Sequence, residues 1–110
     1  MATDTILQLG TEDFEQEVLR SEVPVLVDFL ADWCQPCHAL APTIDQLAET
    51  YDGRIKVAKV DIDAARELAT TYGITSIPAI VLFKDGRATR QLVGVRPYQE
   101  YATALDDLLD

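Results

Sequence analysis

The stretch of sequence that decides the fold covers residues 25–37 and reads Val-Leu-Val-Asp-Phe-Leu-Ala-Asp-Trp-Cys-Gln-Pro-Cys. Its first six residues are almost all apolar, which is typical of a strand covered on both faces by helices. From Cys37 to about Tyr51, apolar side chains recur at helical spacing, and Pro42 is expected to kink that helix. A buried strand that runs directly into a helix predicts an α/β protein.

The rest of the chain alternates between strand and helix patterns in an order that indicates the fold class. Asp85-Gly86 is a strong hairpin signal, so the strands on either side of it are expected to pair antiparallel. We predict an α/β fold with a mixed central sheet of about five strands flanked by about four helices. Thr11 and Asp63 are expected to begin two of these helices as capping residues. The further strands are predicted at residues 6–9, 55–60, 79–83 and 91–93, and the further helices at residues 11–20, at 63–73 and from 97 onward.

Length and composition restrict the possible functions. A chain of 110 residues has room for one domain, expected to span residues 1–110. Its net charge of −10 repels phosphate backbones and anionic lipid, so nucleic acid and membranes are not expected partners. No apolar run approaches the ~20 residues of a membrane span, and the N-terminus lacks the basic segment and apolar core of a signal peptide. We therefore expect a cytoplasmic protein in a reducing compartment.

Cys34 and Cys37 are the only cysteines, and their spacing favours redox chemistry over structural stabilisation. A disulfide across so short a loop removes little chain entropy. Because the pair opens a helix, the positive end of the helix dipole should stabilise a thiolate at Cys34 and lower its pKa. Cys37 falls on the same helix face, and Pro36 suits the first helical turn because no N–H is needed there. The pattern predicts an exposed nucleophile at Cys34 and a resolving cysteine at Cys37.

Asp28 is a lone acid inside the apolar strand that leads to the cysteine pair. If its carboxyl group is buried, desolvation raises its pKa toward the range of a general base. It can then accept the proton that Cys37 must lose before it attacks. The alternative is a strand position that simply faces water, and the strand pattern alone does not separate the two.

The sequence resembles the thioredoxin family along nearly its whole length. The most specific match combines Trp33-Cys34-Gln35-Pro36-Cys37 with the later Ile77-Pro78, whereas a Cys-x-x-Cys motif alone would be weak. The resemblance implies the thioredoxin fold and a redox protein that reduces disulfides in client proteins and is recycled by a thioredoxin reductase. It implies no cofactor beyond the redox-active disulfide, and we expect a monomer. The further matches are Val27-Asp28-Phe29, Ala31-Asp32, Ala41-Pro42, residues 57–63, Tyr72-Gly73-Ile74, residues 82–86 and Val93-Gly94.

The same resemblance implies a role for each residue of the site. Cys34 and Cys37 correspond to the nucleophile and the resolving cysteine, Asp28 to the buried proton acceptor, and Lys59 to the lysine that tunes it. Pro78 corresponds to the family's cis-proline, which lies against the sulfurs, and the backbone before it pairs with the client like an added strand. For Trp33 the alternative is a half-buried packing aromatic. The client-binding patch would consist of Trp33, Ile77, Pro78, Val93 and Gly94.

Several positions depart from the family's usual residues. Gln35 replaces the usual Gly between the cysteines, Leu30 the usual Trp, and His38 the usual Lys. Ser76 and Ala79 flank Ile77-Pro78, where Gly and Thr are commoner. Because histidine loses its charge near neutral pH, any electrostatic help from His38 should fade above neutrality. Gln35, Pro36 and His38 are therefore the residues expected to tune the redox potential.

Three other functions fit parts of the sequence. The string Cys34-Gln35-Pro36-Cys37-His38 also matches the attachment signature of a c-type haem, but no second histidine or internal methionine is present as an axial ligand. A structural zinc site needs four ligands, and this cluster supplies too few, so no metal is expected. Domains of this kind also act as binding modules without turnover, and the presence of both cysteines with Asp28 argues for catalysis.

Overall fold

A five-stranded mixed sheet forms the centre of the computed structural model, which describes residues 5–110. The strands are β1 (Ile6–Leu9), β2 (Val25–Leu30), β3 (Lys56–Asp61), β4 (Ala79–Lys84) and β5 (Arg87–Val93). Their order across the sheet is β1-β3-β2-β4-β5; β1 and β2 run parallel to β3, while β4 pairs antiparallel with both β2 and β5. The predicted mixed α/β sheet is confirmed. The first four residues lie outside the described residues. The expectations about the start of the chain and about a domain spanning residues 1–110 include these four residues.

Four helices cover the two faces of this sheet. The helices are α1 (Thr11–Phe14), α2 (Gln35–Thr50), α3 (Arg66–Thr71) and α4 (Tyr98–Leu109). Residues of α2 and α4 pack in one apolar core with Leu26 and Ile80, and residues of α1 and α3 pack in a second core with Val27 and Phe29. Because both faces of β2 are covered, residues Val25 to Phe29 are all buried, which explains the continuous apolar run. Among the described residues, no helix is long and apolar enough to cross a membrane.

The starts of two helices differ from the predictions. Gly10, not Thr11, is the residue before α1, and it provides no side-chain cap. The residue before α3 is Ala65, so Asp63 does not cap that helix. After Phe14 the first helix continues as a π-helical segment, Glu15–Leu19, in which the Arg20 N–H donates to the Glu15 carbonyl at 2.9 Å. The apolar spacing is therefore right about the presence of these helices, and the capping signals are wrong about the residues that begin them.

The β4–β5 hairpin turns at Asp85 and Gly86, as predicted. Both residues have positive φ angles, 53° and 79°, which are typical of the two central residues of a tight hairpin turn. A Cβ atom at residue 86 would lie 3.0 Å from the Leu19 carbonyl oxygen. Glycine at this position therefore serves both the backbone conformation and the close contact with the end of the π-helical segment.

Candidate active site

The two cysteines lie at the junction between β2 and α2. Leu30 ends the strand, three residues form the connection, and Cys34 occupies the position just before the helix, with Gln35 and Pro36 in its first turn. Cys34 and Cys37 form a disulfide, and their Cα atoms are 5.3 Å apart. The short spacing therefore does bring the two sulfurs together, as the sequence predicts. Pro36 costs no helical hydrogen bond here because the first turn has no partner for its N–H.

Backbone dipoles converge on the Cys34 sulfur. The N–H of Cys37 donates to Cys34 Sγ at 3.2 Å, and Cys34 lies at the N-terminus of a 16-residue helix. In the reduced protein, a negative charge on this sulfur would be stabilised by that donor and by the positive end of the helix dipole. No comparable donor to the Cys37 sulfur is found among the described residues. The local geometry thus favours ionisation of Cys34 over Cys37.

The expectation that Cys34 is exposed is wrong for the disulfide form. Only 4% of the Cys34 residue surface is accessible, and Cys37 is also buried. Both pack with Ala31 in a small apolar cluster, against which the partly buried side chains of Leu30, Ile62 and Ile77 are packed. Little of the Cys34 surface is therefore open to a client sulfur, and apolar side chains border the cysteine pair.

Asp28 is buried within β2, which excludes the water-facing strand position left open by the sequence. Only 2% of its surface is accessible, and its Oδ1 atom has no hydrogen-bond partner among the described residues. Desolvation by burial raises the pKa of Asp28 from 3.8 to about 7, and the positive charge of Lys59 opposes this rise. Lys59 is the residue opposite Asp28 in the parallel β2–β3 pair. A carboxyl group with this pKa can accept or release a proton near neutral pH.

Trp33 projects from the connection beside Cys34, with 65% of its surface accessible. This exposure excludes the half-buried packing aromatic considered from the sequence. Its indole Nε1–H donates to Asp63 Oδ2 at 2.8 Å, and the Asp63 N–H in turn donates to Asp61 Oδ1 at 2.8 Å. Asp63, expected to cap a helix, instead holds the tryptophan in place. The sequence pattern offers no direct signal for this, because the two residues are 30 positions apart.

The Ile77–Pro78 peptide bond is cis, as the resemblance implies. Pro78 itself is buried, so its ring is not part of an exposed patch in the disulfide form, contrary to expectation. Its carbonyl oxygen accepts the Gly94 N–H at 2.8 Å, which ties the end of β5 to the loop beside the sulfurs. This contact places Val93, 40% accessible, next to Pro78, and Val95, 52% accessible, follows shortly.

Trp33, Val93 and Val95 are the only exposed large hydrophobic residues among those described, and the sequence analysis overlooked Val95. The nearby Ile77 and Gly94 are half-buried. We refer to Trp33, Ile77, Val93, Gly94 and Val95 as the apolar patch. An apolar patch around a reactive disulfide is suited to contact with another protein.

A cleft of about 210 Å³ opens on the other side of the cysteine pair. At its rim, His38 Nε2 lies 2.7 Å from the Asp32 carbonyl oxygen, so the imidazole connects the helix to the preceding loop. Leu30, which replaces a usual tryptophan of the family, forms part of the wall. The lining residues are Gln8, Leu30, Ala31, Asp32, Cys37, His38, Ala41 and Lys59.

Metal chemistry finds no support in the part of the chain that the structure describes. Within residues 5–110, no group of three or more His, Cys, Asp or Glu side chains could hold a metal ion. The sulfurs of Cys34 and Cys37 are bonded to each other in a disulfide. The site is therefore a dithiol–disulfide couple.

Comparison with known proteins agrees with this geometry. The family model for thioredoxin matches residues 5–107. Thioredoxin C-2 of Corynebacterium nephridii is 43% identical over 102 residues, which cover 93% of this chain and 94% of the relative. Thioredoxin 1 of Nostoc sp. is 46% identical over 99 residues, covering 90% and 92% of the two chains. Thioredoxin M5, chloroplastic, of Oryza sativa is 43% identical over 103 residues, covering 94% of this chain and 60% of the rice protein. The chain belongs to the thioredoxin family, and with Cys34 and Cys37 joined at the start of α2 it is a thiol–disulfide oxidoreductase that needs no cofactor.

Proposed function

We propose that the chain works as a reductant of client proteins, receiving its electrons from a thioredoxin reductase. The observation that carries the role of Cys34 as the attacking sulfur is the asymmetric environment of the two sulfurs, since only Cys34 Sγ accepts a backbone N–H among the described residues. Such a sulfur is the better nucleophile of the pair near neutral pH. The family supports disulfide-containing proteins and a reductase as partners in general.

The reaction consists of two displacements. The Cys34 thiolate attacks one sulfur of a client disulfide; a bond forms between Cys34 and the client, and the other client sulfur leaves as a thiolate. Cys37 then loses its proton and attacks Cys34 Sγ, so that the Cys34–Cys37 disulfide forms and the second client thiolate leaves. Two electrons have passed to the client. A reductase returns two electrons to the protein and restores both thiols.

We assign Asp28 the role of proton acceptor for Cys37. Its support is burial with a pKa of about 7 and an Oδ1 atom without a hydrogen-bond partner among the described residues. A carboxylate with this pKa is basic enough to take a thiol proton and acidic enough to release it near neutral pH. Lys59 acts through Asp28 by holding its pKa lower than burial alone would set it. Lys59 is therefore a positioning residue.

The apolar patch is the proposed docking surface for clients. Ile77 packs against the cysteine cluster and precedes the cis-proline Pro78, and an extended client segment can add to the backbone before a proline as an extra strand. Trp33 precedes Cys34 in the chain, and its indole is held by Asp63, which keeps the large exposed ring available for contact. Aromatic side chains of this kind frequently dominate the energy of interfaces.

Three residues are proposed to tune the reduction potential. Gln35 and Pro36 occupy the first turn of α2, between the sulfurs, where they affect how easily the disulfide closes. His38 bonds to the loop before Cys34 and lines the cleft beside Cys37. A potential measured against glutathione for the wild type, Gln35→Gly and His38→Lys would assign their contributions.

We further propose that the protein is a monomer of the cytoplasm. A reductant of this kind needs a compartment that keeps thiols reduced, and the cytoplasm meets that condition. Sedimentation of the reduced protein tests the oligomeric state. The redox state of the cysteine pair, trapped in cell extracts, tests the compartment. A protein in a reducing compartment would be recovered as the dithiol, and one in an oxidising compartment as the disulfide.

Insulin reduction with dithiothreitol tests the proposed function directly. The wild type should accelerate precipitation of the insulin chains, and Cys34→Ser should be inactive. Cys37→Ser should lose turnover but accumulate a mixed disulfide with the client, because the resolving attack is missing. Equal rates for the wild type and Cys34→Ser would refute the role of Cys34. A mixed disulfide at Cys37 in the Cys34→Ser variant would reverse the assignment.

A further inference from the structure

A buried tyrosine of α4 reaches the loop that carries part of the apolar patch. Only 1% of the Tyr101 surface is accessible, and its ring packs in the core that contains Leu26 and Ile80. Its hydroxyl donates to the Gly94 carbonyl oxygen at 3.2 Å. Burial raises the pKa of Tyr101 above the ordinary 10.0, so the hydroxyl keeps its proton and remains a donor near neutral pH. Within the described part of the chain, no other buried side chain hydrogen-bonds to a residue of the apolar patch.

Gly94 is held from two sides by hydrogen bonds of its own backbone. Its N–H donates to the Pro78 carbonyl oxygen at 2.8 Å, and its carbonyl oxygen accepts the Tyr101 hydroxyl. Its φ angle is 89°, and it has no side chain whose packing could fix it, so these two bonds determine where the residue lies. The exposed Val93 and Val95 are its chain neighbours. The placement of Gly94 therefore sets where both valines can meet a client.

The same contacts lead from α4 to the cysteine pair. Pro78, which accepts the Gly94 N–H, follows Ile77 through the cis peptide bond, and Ile77 packs against the cysteine cluster. The Tyr101 hydroxyl is thus connected through Gly94 and Pro78 to the part of the apolar patch beside the disulfide. Its partner is a carbonyl oxygen of the loop and not a sulfur atom. We therefore expect it to act on the shape of the patch and not on the exchange chemistry.

A second contact to this loop is weaker. Arg96 Nε donates to the Val93 carbonyl oxygen at 3.3 Å, and the same guanidinium pairs with Glu100 at 3.2 Å. Because 36% of the Arg96 side chain is accessible, water competes for both contacts. The ring of Tyr101, in contrast, is fixed by the core around it. The tyrosine is therefore the stronger constraint on the loop.

We propose that Tyr101 is a positioning residue for client docking: its hydroxyl holds Gly94, and with it Val93 and Val95, in place against Pro78. The inference rests on the proposed function, since it concerns the docking of clients at the same site. A surface that is already ordered loses less conformational entropy when a partner binds. Loss of the hydroxyl should therefore weaken the reaction with a protein client, which needs the patch, more than the reaction with a small disulfide.

Tyr101→Phe tests this role, because it removes the hydroxyl and keeps the ring that fills the core. The readout is the ratio of the second-order rate constants with which the reduced protein cleaves insulin and hydroxyethyl disulfide, a small uncharged disulfide. Because it is a ratio, a general loss of active protein cancels. We expect the ratio to fall about fivefold relative to the wild type, which is the effect of losing one typical hydrogen bond.

Tyr51→Phe is the matched control, because it removes another buried hydroxyl from the same core. The Tyr51 hydroxyl lies 2.7 Å from Asp106 Oδ1 and 3.2 Å from the Ala102 carbonyl oxygen, both on α4. Neither partner belongs to the apolar patch, and Tyr51 follows the end of α2, whereas the cysteines lie at its start. This variant loses at least as many contacts as Tyr101→Phe. A fall in the ratio that came from lost stability would therefore appear in both variants, and we expect it only in Tyr101→Phe.

Hydrogen exchange of the Gly94 amide, followed by NMR in the oxidised protein, provides a second readout. This N–H donates to Pro78, so its exchange reports local opening of the loop. Tyr101→Phe should speed the exchange about fivefold, and Tyr51→Phe should leave it at the wild-type rate. The measurement needs no client, so it tests the hold on the loop separately from the proposed function.

Three outcomes would overturn the inference. An unchanged ratio in Tyr101→Phe would mean that Gly94 merely provides a partner for a buried hydroxyl. An equal fall in Tyr101→Phe and Tyr51→Phe would mean that lost stability is the cause. Unchanged exchange of the Gly94 amide would mean that the hydroxyl does not hold the loop. A wild-type protein that cleaves neither insulin nor hydroxyethyl disulfide would instead overturn the proposed function itself.

Discussion

Replacing Asp28 by asparagine should change how the stability of the protein depends on pH. The folded state raises the pKa of Asp28 from 3.8 to about 7 because the carboxyl group is buried. Between these two values the folded protein keeps a proton that the unfolded chain has lost, so stability falls as pH rises from about 4 to about 7 and is level above. With ~1.36 kcal/mol per pKa unit, ionisation of Asp28 costs the folded state about 4 kcal/mol at pH 8 and about 2 kcal/mol at pH 5.5.

Chemical denaturation of the oxidised protein at these two pH values measures the effect. The wild type should lose about 2 kcal/mol of unfolding free energy more than Asp28→Asn between pH 5.5 and pH 8. The buried amide of the variant carries its own cost, but that cost does not depend on pH and cancels in the difference. Asp52→Asn removes the same charge from an exposed position and shows how much comes from net charge alone. Parallel pH dependences for the wild type and Asp28→Asn would refute the reasoning.

The remaining predictions concern turnover, the tryptophan contact and two glycines. Asp28→Asn should slow release of a client from the mixed disulfide about 10²-fold at pH 7, because the resolving cysteine loses its proton acceptor. Stopped-flow fluorescence measures this rate, and an unchanged rate would exclude Asp28 as the proton acceptor. Trp33→Phe should lower kcat/KM for a protein client about fivefold, because the indole donor is lost. Asp63→Asn keeps an acceptor oxygen and should lower kcat/KM less. The reverse order of the two variants would contradict the hydrogen bond of 2.8 Å between Trp33 and Asp63. Gly86→Ala should destabilise the fold by more than the ~1–2 kcal/mol expected for Gly53→Ala. Both glycines have positive φ, but only at residue 86 would the new Cβ lie 3.0 Å from a backbone oxygen. Equal melting temperatures for the two variants would contradict this.

Much of the fold follows from local sequence. The apolar run of β2 predicts a strand covered on both faces, and the structure covers both faces with helices. Asp85-Gly86 predicts the hairpin because few residues other than Asp, Asn and Gly accept positive φ at both turn positions. The cysteine spacing predicts that the sulfurs meet, because residues three apart share a helix face. In each case the deciding interactions are between near neighbours in the chain.

The errors arise where distant parts of the chain decide. Cys34 was expected to be exposed, but Ile62 and Ile77, contributed by two other loops, cover it. The sequence predicts that Asp63 caps a helix, yet its carboxylate accepts a hydrogen bond from Trp33, 30 residues away. Val95 follows Gly94 in a loop without a pattern, and its exposure depends on how β5 ends. Burial of a single side chain is a property of the packed structure, which a strand or helix pattern does not contain.

The asymmetry between the two sulfurs is also the reason that we expect a thiolate at Cys34 in a reduced protein of net charge −10. The stabilising groups are a backbone N–H and a helix dipole, both of which act at short range. They act on Cys34 Sγ directly, whereas most acidic side chains of the chain are solvated and screened. Local geometry thus outweighs the overall charge at this atom.

The most direct test of the account is the ionisation of Cys34 in the reduced Cys37→Ser variant, followed by thiolate absorbance or by the pH dependence of alkylation. This variant retains the backbone N–H that donates to Cys34 Sγ, and it leaves only one thiol to titrate. We predict a pKa at least one unit below the ~8.5 of a free cysteine, because the donor and the helix dipole both favour the thiolate. A pKa at or above ~8.5 would contradict the account.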